Sequence, residues 1–260
     1  MGESVLHLFH TGYAEIRKPD IRYGRKNADF GQGFYTSMDK ETYMHSKEIK
    51  TGGISYLELL EGTGSWYWGM DYTSGDLYEA EELHQDGHPI KRNRLIFVNF
   101  PEGEVYEPVI AGDAQYLGRP VYWEGSIYML LVDFSKRVMS ILDWNVQEGP
   151  SEAPKTAAEL PLDAAKDCYN LMLETSPLCL LRQGRDDDFQ VIWPEQGSFA
   201  IDPRESLYFR DGDRLIFSKW FEDPYYREEL VIRKYPTGEI LEQRPGGARR
   251  MPDGQLWLLK

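Results

Sequence analysis

From residue 52 onward the chain alternates short apolar stretches with turn-forming residues, and little of it follows the 3.6-residue period of a helix. Apolar stretches at 94–98, 121–132, 178–181, 189–193 and 229–232 each have the length and the branched or aromatic content of a β-strand. Gly, Pro, Asp and Asn separate these stretches. The pattern therefore predicts a mainly β chain built from short strands and turns.

One short phrase recurs in this pattern: an aromatic, two variable positions, Gly, an acid and a branched apolar residue. Clear copies lie at residues 72–77, 100–105 and 235–240, and a weaker copy lies at 133–138. A further turn without the phrase lies at 184–188. Gly next to an acid between two apolar runs is typical of a hairpin turn, so we predict a hairpin at each of the five places.

Recurring hairpins predict a fold built by repetition. About 210 residues follow Lys50, and propeller blades of roughly 40–45 residues fit five times into that length. We therefore predict a five-bladed β-propeller, with a β-sandwich as the alternative. The strand at the end of the chain, within 253–260, is expected to pair into the first blade and close the ring.

One stretch interrupts the strands. Residues 149–161 are rich in Pro, Ala, Glu and Ser, and residues 163–174 contain alanines, leucines and a methionine. This composition predicts a surface connection followed by a short helix. The expected organisation is a segment over residues 1–50 and a propeller-like domain over 51–260, with a helical insertion near 155–175.

The net charge limits the expected partners, and the lack of targeting patterns bears on the expected location. The formal net charge is -14, and such a field repels nucleic acid and anionic membranes, so neither is expected as a partner. The first residues lack the pattern of a signal peptide, and no stretch has the length of a membrane span. We therefore expect a cytoplasmic protein in which Cys168 and Cys179 are buried free thiols.

The first fifty residues do not follow the strand-and-turn pattern of the later chain, and they contain more specific motifs. They include Leu8-Phe9-His10-Thr11-Gly12, then Ile16 and Lys18-Pro19-Asp20, then Asp29-Phe30-Gly31-Gln32-Gly33-Phe34-Tyr35-Thr36. This order resembles the opening of a bacterial protein family that is similar to ADP-ribosyltransferases of the diphtheria-toxin type. The resemblance covers about residues 5–48 and departs from the family pattern after Tyr43.

The resemblance implies an NAD site within a short α+β segment. His10 would bond a ribose hydroxyl of NAD, the backbone of Thr11 and Gly12 would hold the nicotinamide amide, and Tyr35 would stack on the nicotinamide ring. Hairpins begin by about residue 54 and leave no room for the complete transferase fold. We therefore expect a truncated, degenerate cap that needs no cofactor, and no catalytic residue can be assigned.

Other candidate sites carry weaker signals. His84 and His88 have a metal-ligand spacing but flank a predicted turn, and the acids at 186–188 lack the spacing of a calcium loop. Glu58 and Glu61 are available carboxylates that nothing in their surroundings singles out. No metal is therefore expected, and Arg249-Arg250 is an isolated basic pair. The large aromatic residues are expected to pack between blades: Trp66, Trp68, Tyr122, Trp123, Trp193 and Trp220.

These observations favour a binding or protein-interaction module over an enzyme. The expected partner is a protein, a peptide, or a neutral or cationic small molecule, in keeping with the acidic balance. The alternative is an NAD-dependent ADP-ribosyltransferase that acts through His10 and Tyr35.

Overall fold

A computed structural model describes residues 47–147, 150, 152–251 and 255–259, and from Lys50 onward the chain forms one compact unit. The first sheet (sheet 1) contains β1 (Glu58–Leu59), β2 (Trp66–Met70), β3 (Leu95–Asn99) and β4 (Val105–Tyr106), with helix α1 (Leu77–Gln85) between β2 and β3. Sheet 2 contains β5 (Gln115–Leu117), β6 (Val121–Trp123), β7 (Ser126–Asp133), β8 (Val138–Asn145) and β9 (Lys155–Pro161).

Two further sheets and a hairpin follow. Sheet 3 contains β10 (Leu171–Glu174), β11 (Cys179–Gln183), β12 (Asp188–Trp193) and β13 (Gly197–Ala200). Sheet 4 contains β14 (Glu205–Asp211), β15 (Arg214–Phe221), β16 (Arg227–Lys234) and β17 (Ile240–Pro245). The terminal hairpin pairs β18 (Gly247–Arg250) with β19 (Leu256–Leu259). All the strand pairs of these sheets are antiparallel.

Apolar side chains join each sheet to the next along the chain. Trp68 and Phe97 of sheet 1 pack with Trp144 of sheet 2, and Leu130 of sheet 2 belongs to the core that includes Leu180 of sheet 3. Two more cores join sheet 3 to sheet 4 and sheet 4 to the terminal hairpin. Burial of these faces is the main stabilising contribution, at about 25 cal/mol per Å² of apolar surface.

The mainly β prediction is confirmed, and the arrangement is propeller-like with four sheets. Five complete blades are not confirmed, because the described residues form four sheets and one two-stranded hairpin. The closing strand was also predicted wrongly: β19 pairs with its neighbour β18 and not with sheet 1. Within the described part of the chain, no helix is long and apolar enough to cross a membrane.

Four of the five predicted hairpins are confirmed. The turns at 100–105, 133–138, 184–188 and 235–240 join β3 to β4, β7 to β8, β11 to β12 and β16 to β17. The hairpin predicted at 72–77 is wrong, because Asp76 caps the N-terminus of α1, which begins at Leu77. The Asp76 side chain accepts the Glu79 backbone N–H, and the Glu79 side chain accepts the Asp76 N–H, which is a capping box.

The helical insertion predicted near 155–175 is also wrong. Residues 155–161 form strand β9 on β8, a single 3-10 turn spans Leu162–Ala164, and β10 begins at Leu171. Alanine and glutamate are good helix formers, but this preference is worth less than about 1 kcal/mol per residue, and pairing with a buried neighbouring strand overrides it. The buried free thiols predicted at Cys168 and Cys179 are confirmed.

Candidate functional site

The ends of the first strands carry charged side chains from separate sheets. Glu61 follows β1, Glu174 ends β10, Asp211 ends β14 and Arg250 ends β18. Each position lies at the turn from the first strand to the second strand of its sheet or hairpin. We call Glu61, Glu174, Asp211 and Arg250 the rim cluster.

Glu174 shows that these strand ends converge. The pKa of this half-buried carboxyl is raised to about 7, chiefly by burial and in part by the nearby Glu61 carboxylate. The backbone N–H of Arg210 and the charge of Arg250 act in the opposite direction. Groups from sheet 1, sheet 4 and the terminal hairpin therefore all act on one carboxyl of sheet 3.

Arg250 is held in place by the turn that follows β10. Its Nη2 donates to Ser176 Oγ at 2.7 Å. The Ser176 carbonyl in turn accepts the Gly212 N–H at 2.7 Å, from the turn between β14 and β15. Sheet 3, sheet 4 and the terminal hairpin therefore share hydrogen bonds at the rim cluster.

A buried arginine, Arg210, lies next to the rim cluster. Arg210 donates from Nε to the Gly212 carbonyl at 3.0 Å, and its guanidinium carbon lies 3.5 Å from the centroid of the Tyr235 ring. The Tyr235 hydroxyl donates to Glu195 at 2.6 Å. Burial raises the pKa of the neighbouring Cys179 thiol to about 11, so this thiol stays protonated at neutral pH.

A small cavity opens beside Arg250. It has a volume of about 60 Å³ and is lined by Phe209, Arg210, Asp211, Arg250 and Leu256. A space of this size holds a few water molecules or one small polar group of a larger ligand. Together with Glu61 and Glu174, it offers carboxylates, a guanidinium and an apolar wall to a ligand.

Comparison with known protein families gives a match over the first part of the chain. Residues 6–53 match a family described as a protein of unknown function, DUF3990. This match covers under a fifth of the chain and leaves the sheets unassigned. No curated protein matches the chain.

One solved structure shows a distant likeness. It is a bifunctional GH43-CE protein of Bacteroides eggerthii, with 12% identity and a TM-score of 0.37. The alignment covers 78% of this chain and 30% of that protein. At this level of similarity the likeness assigns no function to the chain.

The four residues expected to bind NAD, His10, Thr11, Gly12 and Tyr35, lie outside the described residues. NAD binding and ADP-ribosyl transfer there stay predictions.

Several side chains that the sequence offers as candidate metal ligands lie within the described residues. The His84 ring lies in the last turn of α1 and stacks on Phe134 at 5.7 Å. Asp186 pairs with Lys166 and Asp188 pairs with Arg182, so cationic side chains already neutralise these acids. In the described ranges, no three His, Cys, Asp or Glu side chains come together as a metal site.

Most of the large aromatic residues lie where the sequence predicted. Trp68 lies in the core between sheets 1 and 2, and Trp66, Tyr122 and Trp193 pack against the cores. Trp220 differs, because it is 39% exposed near the end of β15.

Sequence reasoning did not single out Glu174 or Arg250. Residue 174 falls in the predicted helix, where the structure has strand β10, and Arg250 stands out in the sequence only as part of an isolated basic pair. A usable signal exists in retrospect, because a charged residue ends the first strand of several sheets directly before a turn. Recognising it requires the correct strand boundaries.

Proposed function

We propose that the sheets form a binding module whose rim cluster holds a cationic group of a small molecule or peptide. The observation that carries this proposal is the Glu174 carboxyl at the end of β10, on which groups near the ends of three other strands, β1, β14 and β18, act. The cluster contains three acids and one arginine, so its charge favours a cation. The cationic group is placed at Glu61 and Glu174 and not in the small cavity, because two arginines and one aspartate line that cavity.

The pKa of Glu174 makes this binding depend on pH. With a pKa of about 7, the carboxyl is mostly neutral at pH 6 and mostly ionised at pH 8. A bound cation favours the ionised form, so its affinity increases as the pH rises through 7. We expect an increase of up to about tenfold between pH 6 and pH 8, the limit set by the change in ionised fraction.

Isothermal titration with agmatine tests this proposal, because its ammonium and guanidinium groups stay charged over that pH range. Glu174→Gln should remove the pH dependence and weaken binding about tenfold, since one charge-assisted contact is lost. Glu159→Gln is the matched control, because Glu159 is exposed on the outer strand β9. Binding that is equal in all three proteins, or stronger for succinate than for agmatine, would contradict the proposal.

A further inference from the structure

Among the described residues three arginines are buried, and they differ in how their charge is balanced. Arg182 pairs with two aspartates, and Arg233 pairs with Glu205 at 2.9 Å. Arg210 is only 4% exposed, yet no carboxylate in the described part of the chain forms an ion pair with it. A buried arginine is rarely left without an anionic partner, so Arg210 is suited to accept an anion from a ligand.

The contacts of Arg210 hold its side chain in place without neutralising it. Nε donates to the Gly212 carbonyl at 3.0 Å, and Nη1 donates to the Pro177 carbonyl at 3.3 Å. These carbonyls carry no net charge, and the face of the Tyr235 ring offsets only part of the charge of a cation. The nearby Glu195 carboxylate accepts the Tyr235 hydroxyl instead. An anion that reaches Arg210 would therefore be attracted by an uncompensated charge.

A second arginine lines the same cavity. Arg250 donates to the neutral Ser176 hydroxyl at 2.7 Å and has no ion pair with the residues that the structure describes. Asp211 also lines the cavity, but it is exposed to solvent, and neither arginine pairs with it. Two guanidinium groups therefore outweigh one solvated carboxylate, and the cavity favours an anionic group.

The acidic and basic parts of the site lie close together. Glu61 and Glu174 form the acidic part, and the charge of Arg250 acts on the same Glu174 carboxyl. Ser176, which holds Arg250, follows Glu174 by two residues, a span of about 7 Å at most along the backbone. One small molecule can therefore reach both parts.

We propose that the rim cluster binds a zwitterion whose carboxylate enters the cavity lined by Arg210 and Arg250 while its ammonium group meets Glu61 and Glu174. The ammonium site rests on the proposed function, and the carboxylate site is the new element. A carboxylate fits because it is planar and accepts two hydrogen bonds from one guanidinium. The surrounding acids and arginines nearly cancel, so a ligand of both charges matches them better than a dianion, which the carboxylates repel.

Isothermal titration with two matched pairs of probes tests this proposal. We compare 6-aminohexanoate with pentylamine and 4-aminobutyrate with propylamine, so that each pair differs only in the carboxylate. Two chain lengths are used because the ammonium and the carboxylate must span the distance from Glu174 to the cavity. At pH 8 we expect the amino acid of the better-fitting length to bind at least about tenfold more tightly than its amine, since it adds a charge-assisted contact.

Variants assign this gain to the arginines. Arg250→Gln should abolish the advantage of the amino acid over the amine without weakening amine binding, and Arg250→Lys should keep part of the advantage. Arg249→Gln is the matched control, because Arg249 is the preceding residue of β18 and its side chain is exposed. Thermal unfolding checks that each variant keeps its fold.

Two results would overturn the proposal. The first is equal affinity for amino acid and amine at both lengths, and the second is an advantage that survives in Arg250→Gln or disappears equally in Arg249→Gln.

Glu174→Gln separates this inference from the proposed function. Amine binding that depends on Glu174, with no gain from the carboxylate, leaves the proposed function standing and refutes the carboxylate site. A carboxylate gain that depends on Arg250, with amine binding unaffected in Glu174→Gln, supports the carboxylate site and refutes the assignment of the cationic group.

Discussion

Replacing Trp144 with alanine is expected to lower the free energy of unfolding by about 3–5 kcal/mol. Trp144 on β8 is only 1% exposed, and its ring lies 5.2 Å from the Phe97 ring and 5.6 Å from the Trp66 ring, both in sheet 1. Its Nε1 also donates to the Glu152 carbonyl at 3.1 Å. The substitution therefore leaves a cavity between two sheets and removes a partly buried hydrogen bond.

Urea denaturation followed by circular dichroism measures this loss. Trp257→Ala is the matched control, because Trp257 is 51% exposed, and its effect should stay within about 0.5 kcal/mol. If Trp144→Ala cost less than about 1 kcal/mol, the packing of sheet 1 on sheet 2 through this residue would be wrong.

Arg182→Met is expected to cost about 3–5 kcal/mol, because it leaves two carboxylates without their buried cation. The Arg182 side chain is 1% exposed, and its Nε and Nη2 both donate to Asp167 at 2.6 Å. Its Nη1 donates to Asp188 at 2.7 Å. The adjacent Cys168 N–H donates to Glu81 of α1 at 2.7 Å, so the same loop ties sheet 3 to the helix.

The pH dependence of this effect has a definite sign. Burial of Asp167 raises its pKa, but hydrogen bonds from Arg182 outweigh that effect, and the pKa is lowered overall. Its stabilising contribution is therefore present above the ordinary pKa of about 3.9 and is lost as the pH falls through the lowered value. The difference between wild type and Arg182→Met should shrink toward pH 2.

Chemical denaturation at pH 7 and at low pH measures both effects. Arg137→Met is the control, because Arg137 pairs with Asp163 on the surface and such pairs contribute about 0–1 kcal/mol. Equal losses for Arg182→Met and Arg137→Met would contradict the role given to the buried pair.

Local patterns were sufficient to predict most of the strands. Alternating apolar residues and Gly-containing turns identify β7, β8, β15 and β16 because strand period and turn chemistry are local properties. The same phrase fails at 72–77, where the acid at position 76 and the glutamate three residues later form a helix cap.

The rim cluster depends on contacts that no local pattern encodes. Glu61 and Glu174 are more than a hundred residues apart, and their interaction follows from the way sheet 1 and sheet 3 are placed. The sequence pattern predicts that Trp220 packs between blades, whereas the structure leaves it 39% exposed. Its exposure depends on β15 and β16 extending past their neighbours, which requires the strand register.

The central claim is that the ends of the first strands meet, so that Glu61 of sheet 1 acts on Glu174 of sheet 3. The most direct test is an NMR titration of the Glu174 side-chain carboxyl in wild type and in Glu61→Gln, with Glu159→Gln as control. The structure predicts a pKa of about 7 in wild type, a lower pKa in Glu61→Gln and no change in the control. An ordinary carboxyl pKa in wild type, or a raised pKa that Glu61→Gln leaves unchanged, would contradict the claim.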